Sequence, residues 1–353
     1  MKCLLHISVI SGGGAERVLC QLANHLVTTG EVIMLVSHRS ENEYELDGRV
    51  NKYYLDELEN GATLVKQVKN IRKFIKNEKP DIAISFLPEA NFRLLIANWG
   101  LKTKTLISIR NDPQKEYASN IYKAIANILY PFADGIVFQT KSAQEYFPAK
   151  VQRKSRIIMN QVVSSFFLTE HLSEDYYVAT GRLNPQKNYF LMIDAFDKLV
   201  KQYPESELRI YGEGELRERL QKYIEELSLE KNIKLMGRSD NISEVLSHAK
   251  CFLLSSDFEG MPNGLLEALA VGVPCIATDC PCGGPSTVIE NGVNGILTPV
   301  KNTEKFYEAL QEIEDSPDRR KALSKIAKQK AEEFSPTKVF EEWVAFIEQI
   351  ITI

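Results

Sequence analysis

Residues 251–269 have the sequence CFLLSSDFEGMPNGLLEAL. The apolar run Cys251–Leu254 ends at a polar loop, and apolar residues resume after Gly264 with the spacing of a helix. A short strand, a loop and a helix in this order are typical of a parallel sheet covered by helices. This stretch therefore predicts one unit of a doubly wound α/β fold.

The same alternation of strands and helices runs through the rest of the chain. In the first half we predict strands at Lys2–Ile10, Glu31–Ser37, Asp81–Leu87, Lys104–Ile109, Gly135–Gln139 and Arg156–Met159, and helices at Ala15–Thr29 and Ala62–Asn77. In the second half we predict strands at Tyr176–Thr180, Leu208–Tyr211, Ile233–Met236, Cys251–Leu254, Cys275–Thr278 and Gly295–Thr298, and helices at Tyr189–Gln202, Glu215–Leu227, Ile242–Ala249 and Gly264–Val271. The sequence therefore predicts two doubly wound, Rossmann-like domains in tandem.

A polar stretch without periodicity, Ser164–Asp175, separates the two halves. We accordingly predict one domain over 1–168, a second over 169–335, and a helix over 336–353 that begins at an N1 proline, Pro336. Ligands of such folds bind outside the C-terminal ends of the strands. We expect a binding cleft where the strand ends of the two sheets face each other.

Composition and charge exclude several classes of protein. The chain has 353 residues, of which 44% are hydrophobic and 25% charged, an ordinary soluble mixture, and no apolar run is long enough for a transmembrane helix. Six cysteines are too few for a disulfide scaffold, so we expect a cytoplasmic protein. Residues 1–165 hold 22 Lys and Arg against 16 Asp and Glu, and the remainder holds 21 against 31. The acidic second half argues against nucleic acid as a partner, and the two halves are expected to bind different ligands.

Two glycine-containing loops follow predicted strands. In Ser11–Arg17, three contiguous glycines let the backbone approach a ligand closely. Their spacing fits neither the dinucleotide fingerprint nor a P-loop. A simple tight turn explains the three glycines equally well. In Gly181–Asn188, Arg182 and Lys187 would lie at a strand end, where two cations suit a diphosphate. A solvated turn is the alternative for this second loop.

The loop within Ser255–Ala268 gives the strongest indication of a function. Glu259 precedes the predicted helix and Glu267 lies inside it. Backbone amides of Gly260–Leu266 at the helix start could face an anion, and the two carboxylates could accept hydrogen bonds from sugar hydroxyls. A binding role is therefore favoured over a solvated acidic face.

Glu259 and Glu267 form an E-x7-E element, and here the chain resembles the retaining glycosyltransferases of family 4, which have the GT-B fold. The resemblance extends to Gly12–Arg17, Gly181–Leu183, Lys187–Asn188, Gly212–Gly214, Met236–Arg238 and Gly292–Gly295. The subgroup it resembles transfers N-acetylgalactosamine, galactose or similar sugars to lipid-linked or surface glycans. The resemblance implies two Rossmann-like domains facing across a cleft, with the C-terminal helix crossing back to the first domain.

The resemblance also implies roles for single residues. Arg182 and Lys187 would hold the donor diphosphate and stabilise its departure, and Glu259 would bind hydroxyls of the transferred sugar. The remaining donor-binding residues would be Gly13, Gly14, Gly212, Gly237, Arg238, Gly260, Met261, Pro262, Asn263, Gly264, Leu265 and Glu267, the last on the ribose. The acceptor side would include Glu16, Arg110 and Asn111. Many family members have a histidine where Arg110 or Asn111 stands, and arginine cannot replace a histidine base at neutral pH.

The implied reaction is transfer of a hexose or N-acetylhexosamine with retention, from UDP-GalNAc, UDP-Gal or UDP-GlcNAc, to a glycan or polyprenyl-diphosphate-linked acceptor. Both glutamates come from one loop and helix, which favours same-face attack over a covalent intermediate. Two alternatives stay open: a GT-B nucleotide-sugar epimerase or phosphorylase, and a non-catalytic sugar-binding protein.

The sequence also bears on metal binding and on membrane contact. No Asp-x-Asp motif is present, and Cys280 and Cys282 have no second ligand pair nearby, so we expect no metal site and no cofactor. The segment Ala62–Lys79 is rich in lysine and has an apolar stripe at helical spacing. The stripe predicts packing on the sheet, and the basic face is expected to contact anionic lipid at the inner face of the cell membrane.

Overall fold

The structure is a computed structural model that describes residues 1–58, 63–172 and 176–352. The described chain forms two compact units, one comprising Met1–Gln161 with the C-terminal residues from Thr337, the other comprising Val162–Pro336. Three sequence predictions fall partly outside the described residues, at Ala62, at the end of Ser164–Asp175, and at Ile353.

Each unit is built on one sheet in which all neighbouring strands are parallel. The strands are β1 (Lys2–Ile7), β2 (Glu31–Val36), β3 (Asn51–Tyr54), β4 (Ile82–Phe86), β5 (Lys104–Ser108), β6 (Gly135–Phe138), β7 (Ser155–Ile157), β8 (Tyr176–Thr180), β9 (Leu208–Tyr211), β10 (Ile233–Gly237), β11 (Ala249–Leu254), β12 (Cys275–Asp279) and β13 (Ile296–Pro299). The first sheet has the order β3-β2-β1-β4-β5-β6-β7, and the second has the order β10-β9-β8-β11-β12-β13. The direction of winding reverses between β1 and β4 and between β8 and β11, where doubly wound folds bind ligands.

Helices connect most of these strands. They are α1 (Gly14–Leu26), α2 (Leu64–Glu78), α3 (Pro88–Asn98), α4 (Pro113–Glu116), α5 (Asn120–Leu129), α6 (Lys141–Glu145), α7 (Ala149–Gln152), α8 (Ser164–Leu168), α9 (Tyr189–Gln202), α10 (Arg217–Glu226), α11 (Ile242–Ser247), α12 (Asn263–Val271), α13 (Gly284–Val288), α14 (Thr303–Asp315), α15 (Pro317–Ala331) and α16 (Pro336–Thr352). The predicted class, two doubly wound parallel sheets, is confirmed.

The central strands are buried on both faces, which explains why the sequence predicts them well. β2 reads EVIMLV and is buried after its first residue, and β4 reads IAISF and is buried throughout. Strands covered on both faces need near-continuous apolar runs rather than alternation. The loops that carry the predicted site residues therefore begin at well-defined strand ends.

Several elements differ from the sequence prediction. β1 ends at Ile7 rather than Ile10, and β3, α3, α5, α14 and α15 were not predicted. Residues of α3 are buried almost all round, from Ala90 to Ala97, so the helix lacks the polar face on which amphipathic periodicity depends. β3 is short and mostly exposed, with the sequence NKYY, so no apolar run indicates it.

The change from one unit to the other falls after Gln161, earlier than the predicted boundary after residue 168. The reason is that α8 packs on α12 of the second unit, and the amide of Val162 donates to the carbonyl of Phe334, 3.0 Å away. Residues 164–172, the described part of the polar stretch, therefore belong to the second unit.

The last helix, α16, packs on the first unit. Trp343 is fully buried and its ring lies 5.5 Å from that of Phe86. The Arg156 guanidinium lies 4.8 Å from the ring of Phe346 and donates to Gln349 Oε1 at 2.8 Å. These contacts make the C-terminal residues part of the core of the first unit.

Candidate active site

The loops after β8 and β11 meet at the switch point of the second sheet. Lys187 ends a short turn of 3₁₀ helix after β8, and Glu259 lies in the loop after β11. Lys187 Nζ is 2.6 Å from Glu259 Oε1, and the two side chains are 17% and 8% exposed. Water screens such an enclosed ion pair less than a surface pair. Two of the three predicted catalytic residues are therefore in direct contact.

Glu259 has two further side-chain donors. The Ser256 hydroxyl donates to Oε1 at 2.7 Å, and the Gln186 amide donates to Oε2 at 3.3 Å. An ionised carboxylate has about four acceptor positions. The carboxylate is thus held in one orientation and keeps capacity for another donor, such as a sugar hydroxyl.

The two loops are also tied together by their backbones. The amide of Asp257 donates to the carbonyl of Gln186 at 2.8 Å, and the Ser255 hydroxyl donates to the carbonyl of Lys187 at 2.8 Å. The Asn188 side chain donates to Asp257 Oδ1 at 2.9 Å. These bonds fix Lys187 and its carboxylate partner on one rigid edge of the sheet.

The glycine-containing loops lie at the same edge. The amide of Gly181 donates to Tyr211 and the amide of Gly212 to Gly237, at 3.0 and 2.7 Å. Gly212 has a φ of +148°, and a Cβ there would overlap the carbonyl oxygen of Gly181. Only glycine allows these backbones to lie so close. The exposed side chains of Arg182 and Arg238 extend from these loops.

Helix α12 begins just after the Glu259 loop, and Glu267 lies within it, 5% exposed. Pro262 precedes the helix, Met261 and Pro262 are buried, and Asn263 and Gly264 form its first residues. The amides of Leu265 and Leu266 both donate to the carbonyl of Pro262. Anion binding by the amides of Gly260–Leu266 stays a prediction, and these two bonds favour the earlier residues of that range.

In the first unit, α1 begins at Gly14, with Gly13 as the N-terminal cap residue. The Glu16 side chain folds back over Gly13, where a Cβ would overlap Glu16 Oε2. A carboxylate in the first turn is stabilised by the positive end of the helix dipole. The space beside Gly13 is thus occupied by an acidic side chain, which the sequence did not indicate.

Arg110 is 7% exposed and lies near the C-terminal end of β5. Its guanidinium stacks 4.6 Å from the Phe86 ring and donates to Asn160 Oδ1 and, at 3.4 Å, to Ser108 Oγ. Burial lowers the pKa of the Arg110 guanidinium to about 9. Asn111 beside it is half-buried.

Two residues near Arg110 were missed by the sequence analysis. The Gln139 amide, after β6, donates to Asn160 Oδ1 at 2.6 Å, and Gln139 and Asn160 are both buried. Among the residues that the structure describes, Arg110 Nε and Gln139 Oε1 are buried without a hydrogen-bond partner. Residues distant in sequence meet here because parallel strands end at one edge, which no local pattern indicates.

The described part of the basic segment, α2, agrees in part with the prediction of a core-packed stripe, because Leu64 and Val65 at its start are 63% and 66% exposed. Ile71 and Ile75 are buried in the first core, and Val68 and Phe74 pack against it. The lysines of this helix are exposed: Lys66, Lys69, Lys73 and Lys76. Membrane contact through this face stays a prediction.

The residues that the structure describes include neither a membrane-spanning helix nor a cluster of metal ligands. No helix within them is long and apolar enough to span a bilayer. No group of three His, Cys, Asp or Glu side chains in residues 1–58, 63–172 and 176–352 is placed to hold a metal ion. The expectation that the reaction needs no metal stays a prediction.

Comparisons with known proteins cover almost the whole chain. The model of the Glycosyltransferase Family 4 matches residues 12–163, and that of the Glycosyl transferases group 1 matches residues 164–330. A Campylobacter jejuni protein named GalNAc-α-(1→4)-GalNAc-α-(1→3)-diNAcBac-PP-undecaprenol α-1,4-N-acetyl-D-galactosaminyltransferase is 28% identical over 360 residues, covering 99% of each chain. A second C. jejuni protein, N-acetylgalactosamine-N,N′-diacetylbacillosaminyl-diphospho-undecaprenol 4-α-N-acetylgalactosaminyltransferase, is 26% identical over 366 residues, covering 98% of this chain and 99% of the relative.

Solved structures agree on the fold. Anabaena HepE in complex with UDP and glucose has a TM-score of 0.84 at 17% identity, covering 99% of this chain and 100% of that one. At 17% sequence identity, this structural similarity is evidence for the fold alone. The predicted fold, two Rossmann-like domains as in GT-B glycosyltransferases, is confirmed.

Proposed function

The chain belongs to the glycosyltransferases described by the group 1 and family 4 models, and from this premise we propose that it transfers a hexose or N-acetylhexosamine from a UDP-sugar to a lipid-linked or surface glycan, with retention of configuration. The observation that carries the proposal is the Lys187–Glu259 pair at the switch point of the second sheet. A cation for a phosphate and a carboxylate for a sugar hydroxyl lie side by side there.

The proposed donor site uses the charges at this edge. Lys187 and the exposed Arg182 bind the diphosphate, and Glu259 accepts hydrogen bonds from hydroxyls of the transferred sugar. Glu267 binds the ribose, and Gly212, Gly237 and Arg238 border the nucleotide. Cations fixed before the reaction stabilise the charge that develops on the leaving diphosphate, a form of electrostatic catalysis that needs little reorganisation.

Retention is proposed through attack on the same face of the sugar that the diphosphate leaves. The acceptor hydroxyl forms the new bond to the anomeric carbon as the bond to the phosphate oxygen breaks, and that oxygen takes the acceptor proton. Glu259 is already bound by Lys187, Ser256 and Gln186, which suits a binding carboxylate better than a nucleophile. Because the cations neutralise the leaving group, we propose that no metal is required.

The acceptor is proposed to be a glycan on a polyprenyl diphosphate, used at the inner face of the cell membrane. Two relatives of nearly equal length carry undecaprenol-linked acceptors in their names. The exposed lysines of α2 offer a basic surface for lipid or diphosphate. Glu16, Arg110 and Asn111 of the first unit are proposed to contribute to this side.

A product analysis tests the proposal. The purified chain is incubated with UDP-GalNAc, UDP-Gal or UDP-GlcNAc and an undecaprenyl-diphosphate-linked N-acetylhexosamine, and the anomeric proton couplings of the product are measured by NMR. An α-linked product from one donor supports the proposal. A β-linked product contradicts retention, and equal transfer to water with and without the acceptor contradicts the acceptor assignment. Glu290→Gln, on the surface of the same unit, serves as the control variant.

A further inference from the structure

Nine large apolar side chains of the described first unit are exposed, and five of them form one group. These five belong to α3, to α5 and to the residues just after these helices, and we call them the apolar ridge: Ile96 (47% exposed), Trp99 (55%), Ile121 (70%), Ile128 (63%) and Phe132 (56%). Single exposed apolar residues are common on protein surfaces, but a contiguous group usually marks an interaction site.

The ridge is continuous in space. The rings of Trp99 and Phe132 lie 4.8 Å apart, and α3 packs against α5. Ile121 and Ile128 are seven residues apart on α5, so they share one face of the helix, and Phe132 follows one turn later. α5 therefore presents an apolar face to solvent that the rest of the described first unit leaves uncovered.

Cations border the aromatic pair. The Arg72 guanidinium donates to the carbonyls of Ala97 and Trp99, at 2.8 and 2.7 Å. Lys154 Nζ donates to the carbonyls of Pro131 and Ala133, at 3.0 and 3.1 Å. Each basic group is thus held at the backbone of one ridge residue or its immediate neighbours.

The two acidic groups nearest the ridge have partners of their own: Glu89 of α3 pairs with Arg93 and accepts from Tyr122 of α5. Asp134 follows Phe132 by two residues, but its carboxylate accepts from the amide and hydroxyl of Thr105, and Lys104 Nζ lies 3.8 Å away. Arg72 places the aromatic pair beside α2, whose lysines face solvent. The surface has an apolar centre and a positive border.

We propose that the apolar ridge docks this chain on an anionic lipid bilayer, with Trp99 and Phe132 inserted at the level of the headgroups. Tryptophan is favoured at this level, because its ring is apolar and its N–H polar. Basic residues near the surface are attracted to anionic lipid. A second copy of this chain fits less well, because the positive borders of two copies would repel. The inference rests on the proposed function in one respect, that a lipid-linked acceptor requires work at a membrane.

The two tryptophans make the test specific. Trp99 is exposed and Trp343 is fully buried, so a change in fluorescence on adding vesicles reports on Trp99. The full chain is mixed with vesicles of phosphatidylcholine and phosphatidylglycerol in equal parts, with pure phosphatidylcholine in parallel. Docking predicts a blue shift and quenching by brominated lipid with the anionic vesicles, and a much smaller change with the neutral ones.

Phe132→Ser removes one anchor and keeps the probe. The variant can no longer bury a phenyl ring in the bilayer, and this loss is expected to weaken its binding to the anionic vesicles about tenfold or more. Leu168→Ser is the matched control, since Leu168 is 81% exposed but belongs to the second unit, and it should bind like the parent. Equal binding of the parent and of Phe132→Ser to the anionic vesicles, or no quenching of the Trp99 fluorescence by brominated lipid, would overturn the inference.

Two further outcomes separate the possibilities. A second outcome is that light scattering shows a dimer, that Phe132→Ser dissociates it, and that no vesicle binding is seen. The partner of the ridge would then be a second copy of this chain, which would overturn the inference. UDP release from a UDP-sugar is measured on the same samples. Ridge-dependent vesicle binding without transfer to any lipid-linked acceptor would support the docking surface and contradict the proposed function. Transfer without vesicle binding would support the proposed function and contradict the docking surface.

Discussion

Replacing Lys187 by methionine should destabilise the second unit far more than an ordinary surface change. The substitution keeps the apolar stem and removes the ammonium group 2.6 Å from a carboxylate that is 8% exposed. Removing one partner of a buried ion pair costs about 3–5 kcal/mol. We expect about 3 kcal/mol, at the low end of that range, because Lys187 is 17% exposed and Ser256 and Gln186 still donate to Glu259.

Hydrogen exchange measures this loss in the full chain. Backbone amides of β8 and β11 should lose protection on the order of a hundredfold, since each 1.4 kcal/mol is a factor of ten. Lys198→Met is the control, because the Lys198–Glu304 pair is 41% and 59% exposed and such pairs contribute about 1 kcal/mol or less.

A double-mutant cycle identifies the cause. Lys187→Met combined with Glu259→Gln should cost less than the sum of the single changes, by about 1 kcal/mol or more, because the second change removes the unpaired charge. Additive effects, or a loss at Lys187 no larger than that at Lys198, would refute the reasoning.

Three further results are expected. Arg182→Ala should lower kcat about a hundredfold and UDP-sugar binding far less, since its cation acts most strongly on the charge of the leaving diphosphate, and equal losses in both would contradict that role. Gly212→Ala should destabilise the fold by about 3 kcal/mol in chemical denaturation, because φ is +148° and the Cβ meets Gly181, whereas exposed Gly48→Ala should stay within about 0.5 kcal/mol. Burial lowers the pKa of the His6 imidazole to about 4, so below about pH 6.5 the unfolded chain binds a proton that the fold does not. Stability should therefore fall as pH drops from 6.5 towards 4, by up to about 1.4 kcal/mol per pH unit from this residue, and His6→Gln should remove that part of the slope.

The sequence predicts those parts of this fold that depend on local pattern. Buried parallel strands need continuous apolar runs, and β2 and β4 have them. The motif containing Glu259 and Glu267 also predicts correctly that the first lies in a loop and the second in a helix. Helices buried nearly all round, such as α3, give no such pattern and were missed.

Most features that could not be predicted from the sequence depend on contacts between residues that are distant along the chain. Lys187 and Glu259 are 72 positions apart, and their pairing depends on the strand order that places β8 beside β11. The ridge likewise needs α3, α5 and Arg72 of α2 to meet. The basic face of α2 can be predicted from its own sequence, whereas the grouping of exposed apolar side chains on α3 and α5 depends on tertiary contacts.

The most direct test of the central claim, a donor site at the Glu259 loop, is UDP release. The purified chain is incubated with UDP-GalNAc, UDP-Gal and UDP-GlcNAc in the presence of EDTA, together with Glu259→Gln and the surface control Glu290→Gln. The account predicts release from one donor that persists with the chelator, survives in Glu290→Gln and falls at least about a hundredfold in Glu259→Gln. Release that requires a metal, or no release together with no measurable UDP binding, would contradict it.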